Sequence, residues 1–335
     1  MQACEPTPEL VILRELLAQE TGFVSGSALA EKLAMSRVAV WQHMEKLRSQ
    51  GFEFEAIRAR GYRIVHQPKN LNATLVEALL AETAHHCQLI VLDEVDSTND
   101  EAARQLATGR KTPFVVLARR QTQGRGRFGR SWNSAHNNNM YASFGFRPAL
   151  TPERLQAFTL WMGVNVCDFV AESSQTAPGI KWPNDLLLNG RKAGGMLTEA
   201  RIDSDHVRDL VFGLGLNVNA ANDASPRATS IAEESRKPLD INRFTANLIR
   251  RMIASYEAFI DGRHRETFAT LWDRFDTLRG QPIALIHGAC RYAGTAEGID
   301  DEGGLRLRDA AGQLQHFRAG EVTMEKDAAT GTVED

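Results

Sequence analysis

Cysteine is scarce in this chain of 335 residues. The four present (Cys4, Cys87, Cys167 and Cys290) lie far apart, with no CxxC and no histidine at ligand spacing. That excludes the usual zinc signatures and fits a reduced, cytoplasmic protein. Long apolar runs are absent as well. Nothing approaches the ~20 residues needed to span a bilayer, so no membrane partner is expected. The first 25 residues carry Glu5, Glu9, Glu15 and Glu20, so no secretory signal is expected there. Nor is one sign of charge dominant. A formal net charge of −3 argues against a chain that coats nucleic acid generally, and any basic function must be local. Acid is missing in one place above all. From Ala102 to Pro152 there is no Asp or Glu, against Arg104, Arg110, Lys111, Arg119, Arg120, Arg125, Arg127, Arg130 and Arg147.

Within that acid-free stretch stands QTQGRGRFGRSW, residues 121–132. Gly124, Gly126 and Gly129 alternate there with Arg125, Arg127 and Arg130, ahead of Trp132. Glycine lets a backbone wrap a ligand at the cost of ordering entropy, and arginine forks match phosphate and carboxylate oxygens. A solvated face mixes signs, so the one-sided run predicts an anion site. No Gly-Lys-Ser/Thr follows, so this is no Walker loop; nor is it read as a dinucleotide fingerprint. The alternative is a disordered Arg/Gly loop that touches nucleic acid nonspecifically.

Residues 9–20 carry a helical apolar repeat and residues 25–33 a second short helix. Ser36 is the N-cap candidate for a third helix running to about Ser49. In that helix Val40, Met44 and Leu47 fall at i, i+4 and i+7, which faces them to a core and leaves Arg37, Trp41, Gln42, Glu45 and Lys46 outward. FEFEAIRARGYRIV then reads as two short strands joined by residues 58–61. Three helices and a hairpin predict a winged helix-turn-helix, a DNA-binding domain over residues 1–66. Ser36, Arg37, Trp41, Gln42 and Lys46 would serve the reading helix, and Arg58, Arg60 and Arg63 the wing. A helical protein–protein module is the alternative. Residues 1–66 hold eight bases and eight acids. A single copy should therefore bind DNA weakly, and two copies on a symmetric site are needed.

After Pro68 the character changes. Strands at 89–93, 114–118, 140–146, 186–188 and 211–219 alternate with helices at 71–83, from about Asp100, and at 153–172. This predicts an α/β layer domain over residues 67–277, with Trp161, Met162 and Val166 in its core. Ser97, Thr98 and Asn99 make a polar helix start that could face a ligand or simply cap the helix. Asn189-Gly190 suits a hairpin turn, which would not explain KWPND (181–185) beside KAGG (192–195). Gly194 and Gly195 permit close backbone approach while Lys192 reaches an anion. Short alternating strands over residues 278–326 predict a small five-stranded barrel, and residues 327–335 a disordered tail.

GRGRFGRSW, KWPNDLLLNGRKAGGML, DSTND and GLGLNVN together resemble the biotin protein ligases. With SGSALAEKLAMSRVAVWQHMEKL and RGYRI ahead of them, the chain resembles the bifunctional class that is both biotin ligase and biotin-operon repressor. The likeness covers nearly all of residues 9–326. It implies a multidomain α/β (α+β) fold with an N-terminal winged helix-turn-helix. A central ligase domain of the class II synthetase-like, biotin–lipoate ligase type would follow, then a C-terminal SH3-like small β-barrel. It implies that biotin attacks the α-phosphate of ATP, giving biotinyl-5′-adenylate and diphosphate, and then passes to a lysine of a biotin carboxyl carrier protein domain. By the same resemblance Ser97, Thr98, Asn99 and Gln121 surround the ureido ring, with Gly195 also at biotin. Arg125, Gly126 and Arg127 lie in a loop that orders over biotin and the adenylate. Lys192 stands at the carboxylate and α-phosphate, where charge spreads during displacement. Arg130 and Trp132 belong to the adenylate site, Asn217 lies close to the adenine, and Asp185 is the candidate Mg²⁺ ligand. Operator DNA and a ligand-promoted homodimer are implied as partners. The family's loop often has a second basic residue where this chain has Phe128, so apolar contact rather than charge is expected there. The rival readings are a ligand-sensing transcription factor without ligase activity, a lipoate-type ligase, and a ligase whose helix-turn-helix no longer binds DNA.

Overall fold

The computed structural model describes residues 6–19, 22–80, 87–134, 138–221 and 226–324. The tail expected at 327–335 lies outside them. At the N-terminus α1 (Pro8–Ala18), α2 (Gly26–Lys32) and α3 (Arg37–Ser49) precede a hairpin of β1 (Glu53–Ile57) and β2 (Gly61–His66). Ser36 caps α3, its Oγ accepting the Ala39 N–H at 3.1 Å. Val40, Met44 and Leu47 are buried with Leu10 and Leu13 of α1, as the helical period requires.

The central part contains α4 (Ala73–Leu80), β3 (Gln88–Val95), α5 (Thr98–Ala107), β4 (Phe114–Gln121), β5 (Met140–Phe146) and α6 (Leu155–Ser174). It continues with β6 (Pro178–Lys181), β7 (Asp185–Leu188), β8 (Arg191–Asp203), β9 (His206–Leu216), α7 (Ile231–Ser235), α8 (Ile241–Ile260) and α9 (Phe268–Phe275). Its sheet runs β3-β4-β5-β9-β8-β7-β6, with β3 and β4 parallel and the other pairs antiparallel. Alternation along β4 explains the layers. Phe114 and Val116 pack with Ala102 and Leu106 of α5, while Val115 and Leu117 belong to the main core with α6 and α8. Trp161, Met162 and Val166 are buried in that core.

Two expectations shift here. Helix α5 starts at Thr98 rather than near Asp100, and Ser97 in the capping position makes no side-chain cap. The polar side chains at this helix start are thus free for other partners. The small barrel expected at 278–326 is a five-stranded antiparallel sheet of β10 (Pro282–His287), β11 (Cys290–Ile299), β12 (Leu305–Arg308), β13 (Leu314–Phe317) and β14 (Glu321–Met324). Its order is β13-β12-β11-β10-β14, so β13 and β14 are edges and hydrogen bonding does not close it.

Specific polar contacts join the three parts. Asn242 Oδ1 accepts the Asn72 N–H at 2.7 Å, and its Nδ2 donates to Pro68 O at 2.9 Å. Gln50 Oε1, at the end of α3, accepts from Thr74 Oγ1 at 2.9 Å. Trp182, fully buried, donates Nε1–H to Gly303 O of the C-terminal sheet at 3.0 Å. Among the described residues no helix is long and apolar enough to cross a membrane.

Candidate active site

One cleft gathers residues from β4, α5, the loop after β4, and strands β7, β8 and β9. Asp96 does not line it but holds the start of α5. Its carboxylate accepts two Arg104 hydrogen bonds (2.7 and 2.9 Å) and the Ser97 N–H (2.7 Å), and Arg104 first of all holds it down to about 2. The buried Ser97, Thr98 and Asn99 then line the cleft together with Gln121. Thr98 donates its N–H (2.8 Å) and hydroxyl (3.0 Å) to Gln121 Oε1, and Gln121 Nε2 donates to Ser134 Oγ at 2.8 Å. Ser143 Oγ reaches Asn99 Oδ1 at 2.6 Å, and Asn99 Nδ2 donates to Glu199 Oε2 at 2.7 Å. A network of amides and hydroxyls in fixed rotamers presents donors and acceptors to a small polar head.

Glycines of the central strands let side chains lie directly on the backbone. Gly195 of β8 and Gly215 of β9 face each other across the ladder, and the Trp132 indole lies on them. A Cβ on Gly215 would come within 2.5 Å of the indole, and one on Gly195 within 3.3 Å. The bare backbone at these two positions is a bed for a tryptophan that walls the cleft. Gly213, two residues earlier, leaves room for Asn99, whose Oδ1 would lie 2.2 Å from an added Cβ.

Lys192 is held from both sides. Its N–H donates to Arg227 O at 2.6 Å and its carbonyl accepts from Thr229 at 2.9 Å. Its Nζ sits 2.7 Å from Asp185 Oδ1 and 5.5 Å from the Trp132 ring centre. Asn217 does not stand in the cleft wall. Its buried amide donates to Thr229 O at 2.9 Å, which pins the segment that clasps Lys192. Its buried Oδ1 has no hydrogen-bond partner among the described residues.

Gly124, Gly126 and Gly129 do stand at GxGxxG spacing, but β4 feeds a 3-10 turn at Arg127–Gly129 rather than a helix. The loop is therefore no dinucleotide fingerprint. Its arginines also correct the one-sided charge. Arg125 pairs with Asp100 (2.7 Å) and Glu199 (2.8 Å), and Arg130 with Glu321. Arg119, Arg120 and Arg147 pair with Asp93, Glu94 and Asp209. Arg127 makes no ion pair among the described residues; its NH1 approaches Gly320 O at 3.5 Å. Burial pushes its guanidinium below the ordinary value, against the pull of Asp185 and Glu321, and it stays charged. Arg125, Gly126, Arg127, Arg130 and Trp132 all line the cleft, as do Asp185, Lys192 and Gly195.

Sequence reasoning missed Ser134, Ser143, Glu199, Gly213, Gly215 and Glu321 as site residues. Only the glycines of GLGLNVN carried a local signal. Among the described residues no group of three His, Cys, Asp or Glu could hold a metal. In the N-terminal part Ser36 caps its helix and is exposed, as are Arg37, Trp41, Gln42, Lys46, Arg58 and Arg60. Lys46 Nζ lies 3.1 Å from Glu9, and Arg60 and Arg63 flank the Phe23 ring at 4.5 and 4.9 Å.

Residues 91–217 match the biotin/lipoate A/B protein ligase family, residues 9–63 an HTH domain, and residues 280–324 the biotin protein ligase C terminal domain. The chain is 32% identical over 320 residues to the bifunctional ligase/repressor BirA of Bacillus spizizenii, covering 92% of this chain and 96% of that one. It is 34% identical over 241 residues to the biotin–[acetyl-CoA-carboxylase] ligase of Paracoccus denitrificans, covering 69% and 98%. It is also similar to the solved biotin protein ligase from Aquifex aeolicus in complex with biotin and ATP. There the TM-score is 0.59 at 27% identity, covering 70% of this chain and 97% of that one.

Proposed function

The chain belongs to the biotin protein ligases, in the group of bifunctional ligase/repressors, and from that premise we propose that it adenylates biotin, passes it to a carrier lysine, and represses transcription with biotinyl-adenylate as corepressor. The carrying observation is that one cleft is lined by the polar Thr98–Asn99–Gln121 network, by Lys192, and by Arg127, which makes no ion pair among the described residues.

The ureido head takes the amide and hydroxyl network. Its urea oxygen and N–H groups need matched donors and acceptors, which a dithiolane would leave unused. The biotin carboxylate oxygen then attacks the α-phosphorus of ATP, and the bond to the bridging oxygen breaks with diphosphate leaving. Lys192 and Arg127 stabilise the negative charge that spreads over the α-phosphoryl oxygens. Arg130 and Trp132 complete the nucleotide side, and Arg125 and Gly126 continue the cover over biotin. Asp185 is the carboxylate that would hold Mg²⁺ with phosphate oxygens, and a single carboxylate beside a nucleotide suits that ion. Bound there, the ion neutralises phosphate charge. A carrier lysine amine finally attacks the acyl carbon, AMP leaves, and the amine loses its proton. No side chain of the ligase itself becomes covalently attached. Catalysis rests on positioning, electrostatics and the exclusion of water from a mixed anhydride.

The exposed bases of α3 and the hairpin support operator binding by a ligand-promoted homodimer. The three described cysteines are unpaired, which supports a cytoplasmic setting. The open C-terminal sheet suits an SH3-like barrel. Incubation with biotin, ATP, Mg²⁺ and a carrier domain should place one biotin on the carrier lysine by mass spectrometry. Absence of both transfer and biotin-dependent ATP–diphosphate exchange would reduce the protein to a sensor; a preference for lipoate in competition would reassign the substrate.

A further inference from the structure

Val38 and Trp41 are large apolar side chains of α3 that no core explains, 67% and 51% exposed. Three residues apart, they are neighbours on one helix face, within the first two turns after the Ser36 cap. Their frame is polar and basic. Arg37 precedes Val38 and Gln42 follows Trp41, with Lys46, whose ammonium reaches Glu9, a turn further, all exposed. The first turn of α3 holds no acid, and Glu45, the helix's one carboxylate, is bound to Arg48. On the hairpin Arg58 and Arg60 are exposed, and Phe23 backs Arg60.

A surface of this kind, apolar at its centre and cationic around it, does not suit a second copy of itself, because the basic frames would repel. It suits a polyanion that presents small apolar groups between its charges. Duplex DNA does so in the major groove, where the thymine 5-methyl is the apolar feature among donors and acceptors. Residues near the start of a reading helix are the ones that reach base edges. We propose that Val38 and Trp41 contact thymine methyl groups in the major groove, so that part of the operator preference is a preference for T·A pairs at the positions they reach. This rests on the repressor reading above and specifies how that reading obtains its sequence preference.

The test uses the full chain with biotin and ATP and duplexes selected from a random library. Each thymine is replaced singly by deoxyuridine, which removes the methyl and keeps every hydrogen-bonding group. Loss of one buried methyl should weaken binding about three- to fivefold. We expect that loss at one or two positions in each half-site. Val38→Ala and Trp41→Ala, checked for folding by circular dichroism, should each reduce the deoxyuridine penalty below about twofold at one of those positions. Wild-type protein that binds thymine and uracil duplexes equally overturns the proposal, as does a penalty that persists in both variants. Self-association abolished by Trp41→Ala with DNA preference intact would also overturn it, assigning the face to a second copy. Selection of no duplex at all would instead remove the repressor reading, and this inference with it.

Discussion

Lys192 Nζ and Asp185 Oδ1 stand 2.7 Å apart on the adjacent strands β8 and β7. The same carboxylate, together with Glu321, pulls on Arg127, which no acid pairs directly among the described residues. Asp185 is thus the counter-charge in contact with Lys192 and, with Glu321, one of two acids acting on Arg127. Phosphate oxygens entering the cleft must take over those cations, and a divalent ion would take over the carboxylate.

Lys192→Ala should depress adenylate formation much more than biotin binding. Charge stabilisation at the α-phosphate matters most in the transition state, so kcat for biotin-dependent diphosphate exchange should fall on the order of 10²–10³-fold. Biotin affinity by calorimetry should move only a few fold. Equal losses in both would make Lys192 a ground-state contact.

Asp185→Asn tests the ion-binding role. The Mg²⁺ concentration giving half-maximal exchange should rise about tenfold or more, since one of the few carboxylate donors is gone, while biotin affinity stays near wild type. An unchanged Mg²⁺ midpoint would leave Asp185 as the counter-charge of Lys192 and nothing more.

Gly213→Ala should act on biotin rather than on ATP. Its Cβ would stand 2.2 Å from Asn99 Oδ1, and backbone in a central strand cannot yield. Asn99 would leave Ser143 and Glu199, and an unpaired polar group in the head pocket should weaken biotin about tenfold or more. Titration with biotin alone reads this. Undiminished affinity would place the biotin head elsewhere.

Arg127→Gly should leave adenylate synthesis measurable but let the intermediate escape. The expected signal is a faster adenylate off-rate in stopped flow, with biotin appearing on nearby free amines. An off-rate equal to wild type would show that the loop does not retain the anhydride.

Biotinyl-adenylate, more than biotin, should strengthen dimerisation and operator binding together. Ordering entropy lost to the ligand need not be lost again on association, and two docked reading modules make the second contact effectively intramolecular. Phe128 is 68% exposed on this loop, in the left-handed region at φ 56°. Its contribution should be apolar, so the dimer should resist salt better than one held by a charge at that position. Sedimentation across a salt series, with and without the adenylate, checks both points. A ligand-independent monomer bound tightly to its operator would show that the coupling is absent.

Much of the fold is legible in local pattern. The α3 cap at Ser36, its inward Val40, Met44 and Leu47, the wing hairpin and the Asn189-Gly190 turn follow from side-chain period and backbone dihedrals. Those act over a few residues and hold wherever the segment ends up. The cluster of motifs likewise marked the cleft, because each motif is itself a short run.

Through-space pairing was not legible. The acid-free run from Ala102 to Pro152 reads as a bare cationic surface in sequence, yet Asp93, Glu94, Asp96, Asp100, Glu199, Asp209 and Glu321, all from outside it, neutralise most of its arginines. Sheet register decides which glycines face each other, and so it made Gly195 and Gly215 together the bed of Trp132. Just past β9, Asn217 donates its amide to Thr229 O. Composition and period state what each segment can do. Only the tertiary arrangement chooses its partner, because Coulomb attraction and packing fall with distance in space and not with separation along the chain.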